Sequence, residues 1–220
     1  LDHYLNNTIF GYLFSLVCLV VLINGTNFMD GVNTLVIGYF LIVTLAIFYI
    51  ATNFNLELNL VLIQIILITL SVIFLFNFFG KLFLGDGGSY LIAFILGYLL
   101  INFSNTNEDV SPYFAACMLW YPAYENLFSI IRKIIKKNSP TDADNRHLHQ
   151  LLFVFMKKKF LYSNKILNTT SGLIINLFNI VFFIYAACNF NNTKKLILLI
   201  IVSTFFYNFF YYYFTKKIKL

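Results

Sequence analysis

The feature that most constrains this chain is a series of apolar runs, each close to the length that crosses a lipid bilayer. Seven can be read, at roughly 8–24, 35–52, 58–79, 89–103, 112–131, 171–190 and 195–214. A spanning helix needs about 20 such residues, because hydrocarbon offers no partner to an unpaired backbone group. Of the 220 residues, 60% are hydrophobic and only 11% are charged, where a soluble domain carries about 25% charged residues. A water-soluble globular fold is excluded, and the runs are too many and too long for a signal peptide. The expected architecture is all-α: a polytopic transmembrane helix bundle of about seven spans, forming one integral membrane domain over 1–220. It includes a polar segment, 132–170, that carries an amphipathic helix. Cys18, Cys117 and Cys188 lie far apart in apolar runs, which suits small buried hydrophobes rather than metal ligands or a disulfide framework. The sequence opens at Leu1 without an initiator methionine, and the expectation is that the natural N-terminus lies upstream.

Seven spans alternate sides, so one choice places every loop, and the positive-inside rule makes it. With the loop 24–35 in the cytoplasm, so are Lys81, Arg132, Lys133, Lys136, Lys137, Arg146, Lys157, Lys158, Lys159, Lys165, Lys216, Lys217 and Lys219. These are thirteen of the 15 basic residues; Lys194 and Lys195 fall outside, with Asp2, His3, Glu57, Glu108 and Asp109. The formal charge of +6 is thus an orientation signal, and no nucleic acid is required to explain it. The same topology gathers three polar stretches, Asn24–Leu35, Phe83–Ser89 and Thr141–Gln150, on the cytoplasmic face. Polar groups beside hydrocarbon are costly unless they face a cavity, a partner or a substrate. Their convergence predicts a single site at the membrane surface.

In the first stretch Asn24, Asn27 and Asp30 recur at three-residue spacing, which lines them along one face if the segment is helical. Gly31 follows and lets a ligand approach the backbone closely. The competing reading is that Asn27 or Asp30 only caps the helix that starts near Leu35. The second stretch, Phe83-Leu84-Gly85-Asp86-Gly87-Gly88-Ser89, opens the fourth span. A carboxylate among glycines at a helix N-terminus offers a hard oxygen ligand for Mg²⁺ and free N–H groups for phosphate; Asp86 or Ser89 as a plain cap is the rival. In the third, Pro140 breaks the basic helix before it and Asp144 can cap a new one. Leu148, Leu151, Leu152 and Phe155 then form an apolar stripe, opposite Arg146, His149 and Gln150, with His147 at the edge. Such a helix lies on the membrane, apolar side down, and offers a cation and imidazoles to a diphosphate or sugar. A solvated amphipathic linker is the alternative. Glu125, inside an apolar span, is expected to pair with Arg132 or Lys133, with contact to the site as the other option.

These residues together resemble the polyprenyl-phosphate N-acetylhexosamine-1-phosphate transferases, and within them the GlcNAc-1-phosphate branch of glycosyltransferase family 4. Asn24-x-x-Asn27-x-x-Asp30-Gly31 is similar to that family's N-x-x-N-x-x-D-G signature, and Phe83 to Ser89 to its F-M-G-D-x-G-S element. Asp144-Asn145-Arg146-His147-Leu148-His149 resembles its D-R-x-H-x-H-H element. The resemblance implies transfer of an acetamido-sugar 1-phosphate from a UDP-N-acetylhexosamine to undecaprenyl phosphate, with release of UMP, as the first step of a cell-envelope polysaccharide. It implies Asp86 as ligand to Mg²⁺, with Mn²⁺ as a substitute, and Asn24, Asn27 and Asp30 as the groups holding the nucleotide-sugar. It further implies uridine contacts from Gly31, Asn33 and Phe83, and a grip on phosphate or sugar from Arg146, His147 and His149. The setting it implies is a bacterial inner membrane with the site on the cytoplasmic face, with room for a homodimer.

Three departures accompany the resemblance. The family repeats Asp-Gly as D-G-x-D-G, whereas Asn33 and Thr34 stand at the second pair. Gln150 occupies a position where many members have a further histidine. The Asp-Asp pair of an earlier cytoplasmic loop has no counterpart before Asn24, which agrees with the expectation of a longer natural chain. The rival classes are a membrane transporter, which predicts mid-span polar groups and an inverted repeat, and a non-catalytic relative. Among enzymes the rivals are phospho-N-acetylmuramoyl-pentapeptide translocase and a UbiA-type prenyltransferase, the latter needing two Asp-rich motifs.

Overall fold

Each apolar run becomes helix, and most of the helices extend past at least one end of the run that announces them, where polar ends find partners in neighbouring elements. The computed structural model describes residues 8–135 and 146–218, and every regular element among them is helical. They are α1 (Thr8–Met29), α2 (Leu35–Phe54), α3 (Leu60–Phe78), α4 (Gly85–Thr106), α5 (Pro112–Met118), α6 (Trp120–Ile135), α7 (Leu148–Lys159), α8 (Asn164–Cys188) and α9 (Thr193–Ile218). Six of these, α1 to α4, α8 and α9, are long and apolar enough to cross a membrane; the chain is a multi-pass membrane protein. Pro140, the proposed cap Asp144 and Asn145 lie outside the described residues, as do Asp2, His3, Lys136, Lys137 and Lys219.

The run 112–131, expected as one span, is two helices meeting at Leu119. Pro122 has no N–H to give to the Met118 carbonyl four residues back. The buried hydroxyl of Tyr39 donates to that carbonyl instead, at 2.8 Å, so the break costs no orphaned acceptor. Neither α5 nor α6 alone is long and apolar enough to count among the spans, and the two run on from one another. The pair starts where the Ser111 N–H donates to the Phe190 carbonyl and ends where Arg132 donates to the Arg146 carbonyl and the Tyr211 hydroxyl.

Hydrogen bonds sort the loops into two faces. On one, Asn107 accepts from the Glu57 N–H at 2.7 Å and donates to its carbonyl at 3.1 Å, while the Ser111 and Thr193 hydroxyls meet at 2.8 Å. On the other, the Thr34 N–H donates to Asn77 at 2.5 Å and the Asn33 N–H to Asn168 at 2.7 Å. Between the faces the helices close on one another at glycines, as expected where packing rather than water expulsion drives association. A Cβ on Gly25 of α1 would lie 1.9 Å from the Pro122 carbonyl oxygen of α6, and one on Gly172 of α8 only 2.1 Å from the Asn33 carbonyl oxygen.

The amphipathic helix α7 departs from its expected resting place. Leu148, Leu151, Leu152 and Met156 are buried, and the helix packs against α8 and α9. It is built into the end of the bundle, so His149, expected on an open polar face, is fully buried.

Candidate active site

The turn between α1 and α2 is the meeting point of the three polar stretches. Helix α1 continues to Met29, which puts Asn24 and Asn27 on its last turns and Asp30 just beyond it. Asn24 is exposed and its amide donates to the Val20 carbonyl of its own helix. Asn27 reaches across to α4, donating to the Tyr90 hydroxyl at 3.0 Å.

Asp30 joins the first stretch to the second. Burial raises the pKa of its half-buried carboxyl; the Gly85 N–H that it accepts works against this, and the nearby charge of Asp86 adds to it. Gly85 is placed to donate because it holds φ +65°, a left-handed backbone that side chains resist. Asp86 follows in the first turn of α4, where the helix dipole favours an anion, and is exposed. Phe83, 77% exposed, stands beside it at the mouth of the site.

Gly31 joins the first stretch to the third. A Cβ there would lie 2.5 Å from Nε2 of His149, so the glycine is required by the ring that fills this space. Neither nitrogen of His149 has a partner among the described residues. Burial, opposed by the charge of Glu125 and helped by that of His147, pushes its pKa down to about 4. The His147 ring lies parallel to that of His149 at 5.7 Å between centroids, and stacks on Phe28 of α1 at 5.1 Å. Its backbone N–H is taken by Gln150 at 3.2 Å, closing the start of α7. Arg146 precedes it and is exposed. Asp30 and Gly31 therefore join both of the other stretches, which lie more than fifty residues apart in the sequence.

Asn33 and Thr34 face the other way, into the protein. Asn33 is buried, its amide 3.5 Å from the Thr169 hydroxyl. Thr34 holds φ +69°, a left-handed backbone that glycine adopts far more readily than threonine. Its hydroxyl donates toward the Thr169 carbonyl at 3.1 Å, and Asn176 donates to its carbonyl at 2.8 Å. Helix α2 thus gets its N-terminal cap from amides of α3 and α8 and none from its own side chains.

Sequence reasoning singled out none of Phe28, Asn77, Tyr90, Asn168, Thr169 or Asn176. The signal was available for the amides, since Asn77 and Asn176 sit inside apolar runs where an unpartnered amide is costly. Glu125, expected beside Arg132 or Lys133, is found against the third stretch. Its carboxylate meets Nδ1 of His147 at 3.0 Å and accepts the Leu148 N–H at 3.2 Å and the Tyr121 hydroxyl at 3.2 Å.

Two carboxylates within each other's field, one of them exposed, fit a hard divalent cation that completes its shell with water and substrate oxygens. Among the described residues no three His, Cys, Asp or Glu side chains converge as a closed cage. Comparison with known proteins places the chain beside sugar-phosphate transferases. Residues 2–104 match the family described as Glycosyl transferase family 4. The chain is 25% identical over 165 residues to an undecaprenyl-phosphate alpha-N-acetylglucosaminyl 1-phosphate transferase of Thermotoga maritima, covering 75% of this chain and 50% of that protein. It is 29% identical over 161 residues to a decaprenyl-phosphate N-acetylglucosaminephosphotransferase of Mycolicibacterium smegmatis, covering 64% and 40%. It is 28% identical over 148 residues to a probable undecaprenyl-phosphate N-acetylglucosaminyl 1-phosphate transferase of Bacillus subtilis, covering 66% and 41%. The chain thus spans half the length, or less, of these curated relatives. No solved structure matches.

Proposed function

We propose that this chain belongs to glycosyl transferase family 4, whose pattern its residues 2–104 match, and that it carries the donor site of an enzyme moving an acetamido-sugar 1-phosphate onto a polyprenyl phosphate. The donor is a UDP-N-acetylhexosamine and the acceptor undecaprenyl phosphate in the cytoplasmic leaflet of a bacterial inner membrane. An oxygen of the lipid phosphate attacks the β-phosphorus of the nucleotide-sugar. The bond from that phosphorus to the bridging oxygen breaks, and UMP leaves with the electron pair. The product is a lipid-diphosphate sugar.

One observation supports this reading above the rest: the Asp30 turn is shared by Gly85 and Asp86 on one side and by His149 on the other. A dianionic donor brought there meets, within a single turn of chain, carboxylates suited to a divalent cation and two imidazoles. Asp86 would hold Mg²⁺, whose charge offsets that developing on the diphosphate oxygens. Asp30, anchored by the Gly85 N–H, and Asn27, anchored by Tyr90, are rigid enough to orient the donor beside it. Exposed Phe83 offers a ring face to uracil, Arg146 and His147 offer donors to phosphate or sugar, and buried His149 would reach them only if the Gly31 turn moved. The inward turn of Asn33 leaves it to reach the nucleotide through the loop it braces.

The test uses the protein at its full natural length in detergent, with undecaprenyl phosphate, MgCl₂ and a panel of UDP-sugars, following UMP. Release is expected with a UDP-N-acetylhexosamine, and Asp86→Ala is expected to lower turnover by at least about 10²-fold, the scale of losing a charge-stabilising group. No release with any donor would overturn the reaction. Normal turnover in Asp86→Ala would overturn the cation assignment alone.

A further inference from the structure

Glu125 is a carboxylate on α6 that is buried at 1% exposure and belongs to none of the three polar stretches. An ionised group is kept in such a place only when its oxygens are satisfied. Here the satisfaction is specific. Oε1 accepts from the Leu148 N–H, at the first turn of α7, and from the Tyr121 hydroxyl, both at 3.2 Å. Oε2 faces Nδ1 of His147 at 3.0 Å, and the Tyr207 hydroxyl of α9 also comes within reach of the carboxylate. The His147 ring is also held by stacking on Phe28 and lying parallel to His149, so its plane and its Nδ1 are both fixed.

From this geometry we propose that Glu125 is the positioning residue of His147. It accepts the Nδ1 proton and thereby reserves Nε2 for the substrate. A carboxylate can only accept, so the Nδ1 facing it carries the proton whether the ring is neutral or charged. Nε2 then presents a lone pair in the first case and an N–H in the second. The same carboxylate holds the start of α7 through the Leu148 N–H, so ring orientation and helix position are set by one group. The arrangement parallels the outer-shell carboxylates that fix the tautomer and direction of functional histidines elsewhere. The inference rests on the proposed transferase reading for what Nε2 does, though not for what Glu125 does to Nδ1.

Two measurements on the full-length protein in detergent test it and separate the two questions. The first is nitrogen NMR of protein labelled in histidine, with the His147 signals assigned from their loss in His147→Gln. In the wild type, Nδ1 of His147 should be protonated; a bare Nδ1 would overturn the proposal without any variant of Glu125. In Glu125→Gln the remaining oxygen is still required by the Leu148 N–H and the Tyr121 hydroxyl, so the amide NH₂ falls to His147. It can only donate, and the ring should switch to the tautomer protonated at Nε2. An unchanged tautomer in that variant would also overturn the proposal. The second measurement is UMP release. Glu125→Gln should lower kcat by roughly 10²-fold, the scale of outer-shell losses, with KM for the nucleotide-sugar changed by no more than about threefold. A kcat within about threefold of wild type would overturn a positioning role in the reaction. If the wild type released UMP from no donor, the transferase reading would fall while the NMR result still decided the tautomer.

Discussion

His149 shows how one residue can be costly and still be kept. Its imidazole has no partner at either nitrogen among the described residues, and it occupies the space that any side chain at position 31 would need. With its pKa near 4 in the folded protein against an ordinary 6.5, folding disfavours the proton. Between pH 6.5 and 4 the unfolded chain binds a proton that the folded chain refuses, so stability falls as pH drops through that window. The loss at the bottom of it is about 3 kcal/mol. Thermal unfolding in detergent should show a Tm that declines across those pH values, and a visibly shallower decline in His149→Gln. An equally steep decline in the variant would assign the acid sensitivity to another group. The histidines, Asp30 and Asp86 were legible from spacing and chemistry alone. Their environments were not: an amphipathic pattern predicts that His149 faces water, and only the packing of α7 against α8 and α9 reverses that.

At the scale of elements, the site depends on how closely helices approach, and glycines set those distances in two different ways. At Gly172 an added Cβ meets backbone, 2.1 Å from the Asn33 oxygen and 2.9 Å from the Leu35 nitrogen. At Gly97 it meets only side-chain ends, Leu22 Cδ2 at 2.6 Å and Leu19 Cδ2 at 2.9 Å. Backbone cannot step aside without moving the loop that α8 braces, whereas a leucine can change rotamer. Gly172→Ala should therefore cost about 3 kcal/mol or more and Gly97→Ala about 1, the two ends of the range for overpacking. Equal shifts in unfolding temperature for the two variants would show that the loop is not rigidly seated. Element existence could be read directly from the apolar runs, since a run of that length has few alternatives in hydrocarbon. Element ends could not. Helix α8 begins at Asn164 rather than near 171 because its first polar turns face the Asn33–Thr34 loop, and a partner so distant in sequence leaves no local trace.

For the whole molecule, the two bonded loop faces divide the charges. Lys81, Arg132, Lys133, Arg146, Lys157, Lys158, Lys159, Lys165, Lys216 and Lys217 belong to the end that carries the site, and Lys194 and Lys195 to the other. Lys158 also donates to the Ile218 carbonyl at 2.8 Å, tying α7 to the end of α9. By the positive-inside rule we propose that the site faces the cytoplasm. In a cysteine-free background, Lys81→Cys and Tyr162→Cys should react with an impermeant maleimide only after cells are opened, whereas Glu108→Cys and Asn191→Cys should react in intact spheroplasts. The reverse pattern would invert the orientation and remove the site from its nucleotide donor. The sequence by itself determined the class of fold, six of the seven expected spans, the distribution of charge and the residue types gathered at one end. Each of these follows from local quantities: run length, hydropathy and the spacing of acids, amides and histidines. Tertiary structure alone decided that Asp30 takes the Gly85 N–H, that Gly31 makes room for His149, and that Glu125 turns to His147. Such contacts depend on the distance between helices that are remote in sequence, and no local pattern encodes that distance.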